Sequence, residues 1–508
     1  MKVLIATPEL AEVVPGGGIA EYVFGLATSL LKRGHDVRVA IPAYAYLRTR
    51  AGLRVITERL VVPLGVGASE ITTISELPLP PGRDGGVLPV ILVGEHRHFA
   101  TARAHGQIYQ WPNHEPWIAF SRAIVEFLSL SAWRPDVVHC QDAHTALVPV
   151  YLKQLRNEGR YAFASSVSTV LTIHNLLNQG VGPPDILPYA GLARDLFSVE
   201  MFECYGLANC LKAGLLSADR ANTVSRTYAR EICESSDFGF GLEGVLRSLR
   251  DVGKLTGIVN GLDEDRWRLE DVTYDGRDAP ASVARAKRSR RQPLYARWHW
   301  EETGDPVISF RGRWDHQKGV ELIGERIDQL LNRAKVVIGT WGTPGSTSEL
   351  RRCWETLSAM AANRPDRLLI NPDGVAAVDE TAAHYIISDF LLMPSRYEPC
   401  GLTQMECQRY GTIPIARRTG GLADTVFAEV TPSVPSPNGF LFDQYNADAM
   451  ITAVDRAISA FRNPDAFQKL VQNALRQHNG WDNRVNDYEV LYGLKAESRR
   501  GPGVVGAA

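Results

Sequence analysis

Short apolar runs that alternate with stretches of helical periodicity constrain the fold of this chain more than any other feature. Lys2 to Thr7 (KVLIAT) is apolar, three glycines follow at Gly16–Gly18, and Asp36 to Ile41 (DVRVAI) is a second run. Between them, apolar residues recur every three or four positions from Ile19 to Leu30. A strand, a helix and a strand in this order predict a β-α-β unit with parallel strands.

The same alternation continues along the chain and restarts after residue 291. Further strands are predicted at PDVVHC (135–140), STVLTIHN (168–175), PVISF (306–310), AKVVIGTWG (334–342), DRLLIN (366–371), DFLLMPS (389–395) and TIPIAR (412–417). Helices are predicted at Val320 to Arg333, Ser348 to Asn363 and Ala447 to Gln477. At 508 residues the chain is too long for one hydrophobic core. We therefore expect an α/β protein with two doubly wound domains.

Composition and charge exclude several classes of protein. The net charge is −2, so no overall field favours nucleic acid or an anionic membrane. The chain has no apolar run of membrane-spanning length, and its first residues (MKVLIATPE) are too short an apolar run for a signal peptide. Seven cysteines without paired spacing indicate reduced thiols. We expect a cytoplasmic protein without nucleic-acid or membrane partners.

A basic run lies between the two predicted domains. Tyr274 to Pro293 (YDGRDAPASVARAKRSRRQP) is rich in turn residues and then basic from Arg285 to Arg291. The run is interpreted as a solvated helix face near a hinge, and a site for a polyanion is the alternative.

Ligands of open α/β sheets bind beyond the carboxyl ends of the strands, so the residues that follow each predicted strand are candidates. Gly16, Gly17 and Gly18 follow the first strand and open a helix, where backbone N–H groups could approach a diphosphate. The spacing is not that of a dinucleotide fingerprint. A tight turn without a ligand is the alternative.

Charged residues follow two strands of the second half. Arg313 and Lys318, in RGRWDHQKG, suit a diphosphate that carries two or three negative charges. Glu398 follows DFLLMPS and precedes Pro399, Cys400 and Gly401 at the start of a predicted helix. A carboxylate there can accept hydrogen bonds from sugar hydroxyls while the helix N-terminus binds phosphate.

Glu406 lies eight residues beyond Glu398, a separation that lets a loop carboxylate and a helix carboxylate contact one ligand. For each glutamate taken singly, a solvated surface group is the alternative.

Histidines and an aspartate follow two strands of the first half. His139, Asp142 and His144 occur in VHCQDAH, and His174 follows the next strand. A metal site is one interpretation of the first three, but their spacing is not that of a known metal motif, so contacts to a sugar or an opposing loop are preferred. His174 is either a ligand contact or a buried core histidine.

Six stretches together resemble the bacterial glycogen synthase and plant starch synthase family. They are TIHNLLNQG, NTVSRTYAREI, GIVNGLD, the element from Gly312 to Gly319, MPSRYEPCGLTQ and YGTIPIARRTGGLADTV. The stretches occur in the family's order and extend to about Tyr492. The resemblance implies the GT-B fold: two Rossmann-like domains that face a central cleft. It places the first domain at 1–262 with the helix 481–496 packed against it, the second at 263–480, and a flexible tail at 497–508.

The resemblance also implies the reaction. It is that of a retaining glucosyltransferase that moves glucose from ADP-glucose or UDP-glucose to the non-reducing end of an α-1,4-glucan, without metal or other cofactor. Arg313 and Lys318 are then expected to bind phosphate and Glu398 the donor glucose. Asp142 and His174, with these three, are the expected catalytic residues. The remaining donor-binding positions implied by the family are Gly17, Gly18, Asn260, Cys400, Gly401, Leu402, Thr403 and Glu406.

Four positions depart from the family pattern. Pro15 stands where the family has lysine, and Ala143 stands where it has tryptophan. The family's base-stacking tyrosine falls near Val378, and Glu406 restores a pair of glutamates typical of sister GT-B families. These departures leave open another donor or acceptor, a GT-B relative with a small acceptor, or a non-catalytic glucan-binding relative. A pyridoxal-dependent glucan phosphorylase is disfavoured by the chain length and by EPCGLTQ.

Overall fold

The structure is a computed structural model, which describes residues 1–65, 67–80, 86–95, 98–99, 114–270, 272, 274, 278–341, 347–372, 378–429 and 436–494. The chain forms two compact units. Unit 1 contains Met1–Val224, Ala229–Gly261 and the segment from Trp481 onward, and unit 2 contains Ser225–Tyr228 and Leu262–Gly480. The sequence predicts domain boundaries after residues 262 and 480, and the tail predicted at 497–508 lies outside the described residues.

Unit 1 contains a large sheet of nine strands within the described residues. In spatial order these are β12 (Leu255–Gly257), β11 (Arg220–Thr223), β7 (Ser168–Ile173), β6 (Val137–Gln141), β1 (Lys2–Ala6), β2 (Asp36–Pro42), β5 (Leu88–Glu95), β4 (Ser69–Leu79) and β3 (Arg54–Pro63). Neighbours from β12 to β5 are parallel. The register pairs Ala6 with Cys140 and Gln141 with Thr172, so the carboxyl ends of β1, β6 and β7 meet at one edge.

The strands β3 and β4 differ from the rest of this sheet, and the sequence patterns do not predict them. They pair antiparallel with each other and with β5 at one end of the sheet. Most side chains of β3 are exposed, whereas Val3, Leu4 and Ile5 of β1 are fully buried. A parallel strand covered on both faces gives a continuous apolar run, and a half-exposed antiparallel edge strand gives a weaker signal.

The helices up to residue 261 are short apart from two. They are α1 (Gly18–Lys32), α2 (Glu115–Leu130), α3 (Asp142–Thr145), α4 (Leu147–Asn157), α5 (Ile186–Tyr189), α6 (Cys210–Ser217), α7 (Arg226–Glu234), α8 (Ser236–Gly239) and α9 (Glu243–Asp251). A small antiparallel sheet contains β8 (Val181–Gly182), β10 (Leu207–Asn209) and β9 (Glu203–Cys204). Single 3-10 turns lie at Ala45–Leu47, Ala162–Ser165 and Arg194–Leu196.

Unit 2 contains a sheet in which all six described strands are parallel. Their spatial order is β15 (Leu368–Ile370), β14 (Lys335–Trp341), β13 (Val307–Arg313), β16 (Phe390–Met393), β17 (Ile413–Arg417) and β18 (Phe440–Phe442). The helices are α10 (Ala279–Arg297), α11 (Val320–Glu325), α12 (Ile327–Leu331), α13 (Ser348–Asn363), α14 (Val378–Ile387), α15 (Thr403–Arg409), α16 (Gly420–Thr425), α17 (Ala447–Phe461) and α18 (Pro464–Leu475), with a 3-10 turn at His316–Lys318.

Two predicted helices are each divided in the structure. The helix predicted at 320–333 is α11 followed by α12, with Arg326 in a non-helical conformation between them. The helix predicted at 447–477 is α17 followed by α18. Asn463 accepts a hydrogen bond from the Ala466 N–H and Pro464 occupies the first turn of α18, so a new helix begins there.

The interpretation of the basic run as a solvated helix face is wrong for two of its residues. Lys287 is only 6% exposed, and its Nζ donates to Thr412 Oγ1 at 2.6 Å. Arg291 pairs with Asp389 at 2.6 Å. The run lies on α10, which packs against α14 and α18, so one side of the helix is turned into unit 2. Burial lowers the pKa of Lys287 well below its ordinary value.

The last described helix, α19 (Trp481–Leu491), packs on α1 within unit 1. The ring of Tyr22 lies 5.6 Å from Trp481 and 5.9 Å from Tyr488, in edge-to-face geometry. A Cβ on Gly25 would overlap the Trp481 indole nitrogen, so the close approach requires glycine there. None of the helices in the described part of the chain is long and apolar enough to cross a membrane.

We predict that Gly25→Ala lowers the free energy of unfolding of unit 1 by about 1–3 kcal/mol, because the new methyl group overpacks the contact with Trp481. Gly244→Ala, in α9, is the matched control because nothing lies within 4 Å of the position that its methyl group would occupy. It should stabilise the unit by about 0.5–1 kcal/mol, since alanine is favoured over glycine in a helix. Urea unfolding of the three proteins checks this, and equal effects would contradict it.

Candidate active site

The loops after β13 and β16 bring a cation and a carboxylate together in unit 2. Nζ of Lys318 lies 2.6 Å from Oε2 of Glu398, and Ser395 Oγ donates to the same oxygen at 3.0 Å. Glu398 is 5% exposed. The two strands are parallel neighbours, with Ile308 opposite Phe390, so their carboxyl ends lie side by side. Residues 80 positions apart thus form one charged pair.

The loop that contains Lys318 is held by local contacts. Oδ1 of Asp315 accepts the Lys318 N–H at 3.1 Å and closes the 3-10 turn. The Arg396 N–H donates to the Gln317 carbonyl at 2.9 Å and ties this loop to the one that contains Glu398. A preorganised pair of loops places the Lys318 ammonium without further ordering when a ligand arrives.

Arg313 lies on the same loop but does not contact Glu398. Its guanidinium is 3.1 Å from Oδ2 of Asp315 and donates to Oε1 of Gln317 at 2.7 Å. The side chain is 46% exposed, so it can exchange these contacts for a ligand. The structure therefore places two cations on the loop after β13.

The segment after Glu398 turns into α15. Cys400 is buried, and its carbonyl accepts from the Gln404 amide at 3.1 Å. Gly401 has a φ of 71°, and Leu402 directly precedes α15. The Thr403 hydroxyl lies 3.6 Å from the Met393 sulfur. The first N–H groups of a helix have no acceptor within the helix, so this turn presents donors at the carboxyl end of β16.

Two glycines of RRTGGLADTV pack against this segment. A Cβ on Gly420 would overlap the Glu398 carbonyl, and a Cβ on Gly421 would overlap the Cys400 carbonyl. The Gly421 N–H donates to the Glu398 carbonyl at 3.0 Å. The two stretches on which the resemblance mainly rests, EPCGLTQ and TGGLADTV, are therefore in direct contact.

Glu406 is buried on α15, and its Oε2 accepts from the Tyr385 hydroxyl of α14 at 2.6 Å. Burial and the adjacent carboxylate raise the pKa of Tyr385 well above its ordinary value. Glu406 thus has a protein partner in the structure, and its contact with a donor stays a prediction.

Asp142 and His174 meet at the carboxyl ends of β6 and β7 in unit 1. Oδ1 of Asp142 accepts the His174 backbone N–H at 2.7 Å, and Asp142 is 2% exposed with a φ of 51°. Burial, and secondarily the charge of Glu9, raise the pKa of Asp142 to about 7, against the stabilising hydrogen bonds. Asp142 therefore exchanges its proton close to neutral pH.

The His174 ring lies between polar and aromatic partners. Its Nε2 is 2.8 Å from Oε1 of Gln141, and its ring centroid is 4.6 Å from that of Tyr22, edge to face. Burial lowers the pKa of His174 to about 3, so the imidazole is neutral at pH 7. A neutral imidazole at a strand end suits an uncharged ligand.

His139 is a core residue. Its Nδ1 lies 2.8 Å from the Tyr492 hydroxyl and its Nε2 lies 2.6 Å from Thr172 Oγ1, so both ring nitrogens are engaged. His144 packs edge to face on Trp117 at 4.6 Å. The described residues contain no group of three or more His, Cys, Asp or Glu side chains arranged to hold a metal ion.

The glycine loop and Asn260 complete the predicted positions of unit 1. The Gly17 N–H donates to Oε2 of Glu9 at 3.1 Å, and α1 begins at Gly18. Methyl groups built on Gly17 and Gly18 would meet no described atom within 4 Å, so the loop is open for close approach. Asn260 is buried, and its Oδ1 has no hydrogen-bond partner among the described residues.

Three departures from the family pattern have different surroundings. Pro15 is exposed beside the glycine loop, where it brings no charge. Ala143 lies close to Gly180, on the segment that leaves His174. The side chain of Val378 lies outside the described residues.

Sequence patterns do not identify Glu9, Gln141 or Ser395 as site residues. Each is a polar residue at or directly after a predicted strand, where the other candidates occur. Glu9 and Ser395 stand in stretches (IATPE and MPSRYE) in which other residues give the stronger signal. Their role as partners depends on which loops become neighbours, and that is a property of the sheet order.

Two family models match most of the chain. Residues 2–248 match the starch synthase catalytic domain, and residues 296–476 match the glycosyl transferases of group 1. The chain is 33% identical to a glycogen synthase of Thermodesulfovibrio yellowstonii, over 99% of this chain and 100% of that protein. It is 34% identical to glycogen synthase 2 of Geobacter sulfurreducens, with the same coverage.

Solved structures agree with the family models. The catalytic domain of starch synthase IV from Arabidopsis thaliana, bound to ADP and acarbose, has a TM-score of 0.82 at 27% identity and covers 97% of this chain and 98% of its own. A sucrose-phosphate synthase from Thermosynechococcus elongatus, at a TM-score of 0.56 and 16% identity, shares the fold. The predicted two-domain α/β fold of GT-B type is confirmed. The chain is a hexosyltransferase that belongs to the family of bacterial glycogen synthases and plant starch synthases.

Proposed function

We propose that this protein elongates an α-1,4-glucan, transferring glucose from a nucleoside diphosphate glucose to the non-reducing end with retention of anomeric configuration. The observation that carries the proposal is the pair of Lys318 and Glu398 at the carboxyl ends of two neighbouring parallel strands. A cation and a buried carboxylate side by side match a ligand that joins a diphosphate to a sugar. Membership of the glycogen synthase family supports the same reaction class.

Unit 2 is proposed to bind the donor. Lys318 and Arg313 counter the charge that develops on the diphosphate as the glycosidic bond breaks. Glu398 accepts hydrogen bonds from glucose hydroxyls, and the turn from Cys400 to Thr403 offers backbone N–H groups to phosphate. In this scheme Lys318 shares its Nζ between Glu398 and the ligand, so donor binding strengthens a contact that already exists.

ADP-glucose is the proposed donor and an α-glucan the proposed acceptor. The starch synthase with a TM-score of 0.82 is described as bound to ADP, which favours the adenine nucleotide over UDP-glucose. Its description also includes acarbose.

Unit 1 is proposed to bind uncharged sugar groups. His174 is neutral at pH 7, the amide oxygen of Asn260 is buried without a described partner, and Asp142 lies beside His174. Gly17 and Gly18 leave room for a ligand to approach the backbone. Each of these groups donates to or accepts from hydroxyls without requiring a charge on the ligand.

No metal or other cofactor takes part in the proposed reaction. The cations Arg313 and Lys318 and the N–H groups before α15 take the role that a divalent cation has in other enzymes that release diphosphates. Retention requires a double displacement or a front-face attack assisted by the leaving phosphate. The anomeric configuration of the product, followed by proton NMR, tests retention itself.

We predict primer-dependent release of ADP when the purified protein receives ADP-glucose and a maltooligosaccharide, and little release of UDP from UDP-glucose. Glu398→Gln should keep the fold and lower kcat by about 100-fold or more, because the carboxylate that binds the sugar loses its charge. Glu355→Gln, an exposed glutamate of α13, is the matched control and should retain normal kcat.

Three outcomes would change this proposal. Release with UDP-glucose alone would reassign the donor. No release with either donor would favour a different donor or a binding-only relative, for which Pro15 is the strongest sequence support. Normal turnover of Glu398→Gln would remove Glu398 from the site.

We predict that excess EDTA leaves the rate of ADP release unchanged. Lysine, arginine and backbone N–H groups, which a chelator does not remove, provide the charge stabilisation in the proposed reaction. The measurement is the initial rate in matched reactions with and without EDTA. A rate that falls with EDTA and returns with added Mg²⁺ or Mn²⁺ would show that a metal is needed.

A further inference from the structure

We propose that Glu9 is a positioning residue of unit 1: its carboxylate holds the glycine loop at residues 16–18 in the conformation that receives substrate. The inference rests on the proposed function, because it assigns the loop a part in binding sugar. Neither the sequence patterns nor the family matches give Glu9 a role.

The backbone of Glu9 is fixed before its side chain reaches the loop. Glu9 follows β1 and is 3% exposed. Thr7 Oγ1 donates to the Glu9 carbonyl at 2.9 Å, and the Thr7 N–H donates to the Ala40 carbonyl of β2 at 3.0 Å. The side chain therefore projects from the rigid end of the sheet, which makes it a precise anchor for a loop.

The carboxylate contacts the loop at two neighbouring glycines. Oε2 of Glu9 accepts the Gly17 N–H at 3.1 Å. A methyl group on Gly16 would overlap the carboxyl group of Glu9, so the carboxylate can occupy its position only because residue 16 is glycine. The first glycine is explained by Glu9 itself, without a ligand.

The contact also compensates for a missing cap of α1. The residue before the helix is Gly17, which has no side chain to accept an N–H of the first turn. A carboxylate at the N-terminal end of a helix is favoured by the helix dipole and by the unpaired N–H groups there. Glu9 supplies that carboxylate from another part of the chain, and it leaves the outer side of Gly17 and Gly18 open.

Glu9 is electrostatically coupled to Asp142, which lies at the carboxyl end of β6 next to β1. Pro15 brings no cation to this cluster, whereas the family has a lysine at that position. The arrangement of the loop in this chain therefore depends on the hydrogen bond from Gly17 rather than on an ammonium group at residue 15.

A double-mutant cycle between residues 9 and 16 tests the proposal. Glu9→Ala and Gly16→Ala should each lower kcat/KM for the glucan by about 10- to 100-fold, since a loop displaced by about 1 Å costs that much. In the Glu9→Ala background, Gly16→Ala should cost less than about twofold further, because the carboxyl group with which the new methyl collides is gone. Glu9→Gln keeps an oxygen that accepts the Gly17 N–H and should lose less than Glu9→Ala. Glu12→Ala, an exposed glutamate of the same segment, is the control.

A second readout is independent of turnover. Hydrogen exchange of the peptide that contains residue 17 should be faster in Glu9→Ala than in the unmodified protein, and slower in Glu9→Gln than in Glu9→Ala. Unchanged exchange in Glu9→Ala, or additive effects in the cycle, would overturn the proposal. If the unmodified protein releases no nucleotide, the proposed function fails, while the exchange experiment still decides whether Glu9 holds the loop.

Discussion

Parallel pairing of neighbouring strands is the constraint on which the candidate site depends. In a parallel sheet every strand ends at the same edge, so the loops that follow neighbouring strands must lie together. Lys318 and Glu398 meet because β13 and β16 are neighbours, although β14 and β15 separate them in sequence. In unit 1 the same geometry places Glu9, Asp142 and His174 after three adjacent strands.

Each unit uses this edge for a different charge. The loops of unit 2 carry two cations beside a carboxylate, with Arg313 held by Asp315 and Lys318 held against Glu398. The corresponding edge of unit 1 has a neutral imidazole, an aspartate whose pKa is raised to about 7 and an amide oxygen without a described partner. This difference is the physical basis for assigning phosphate to unit 2 and uncharged sugar groups to unit 1 in the proposed reaction.

Glycines determine how closely these loops approach one another. Gly420 and Gly421 allow α16 to contact the backbone of Glu398 and Cys400, and Gly16 leaves space for the Glu9 carboxylate. In each case the partner is a backbone carbonyl or a buried carboxyl group, which cannot move away cheaply. Such glycines explain family motifs through packing between loops, and they need no contact with a ligand.

The sequence by itself determined the class of fold, most of the parallel strands and the loops in which charged residues occur, because periodicity and strand ends are local properties. It did not reveal the antiparallel strands β3 and β4, whose half-exposed side chains give a weak pattern. It also placed Lys287 and Arg291 in solvent, although α10 turns both toward unit 2. Which side of a helix is covered, that His139 is a core residue and that Glu9 bonds to Gly17 were decided by the tertiary structure. These contacts join residues far apart in sequence or on different loops, and the order of strands in the sheet sets which of them meet.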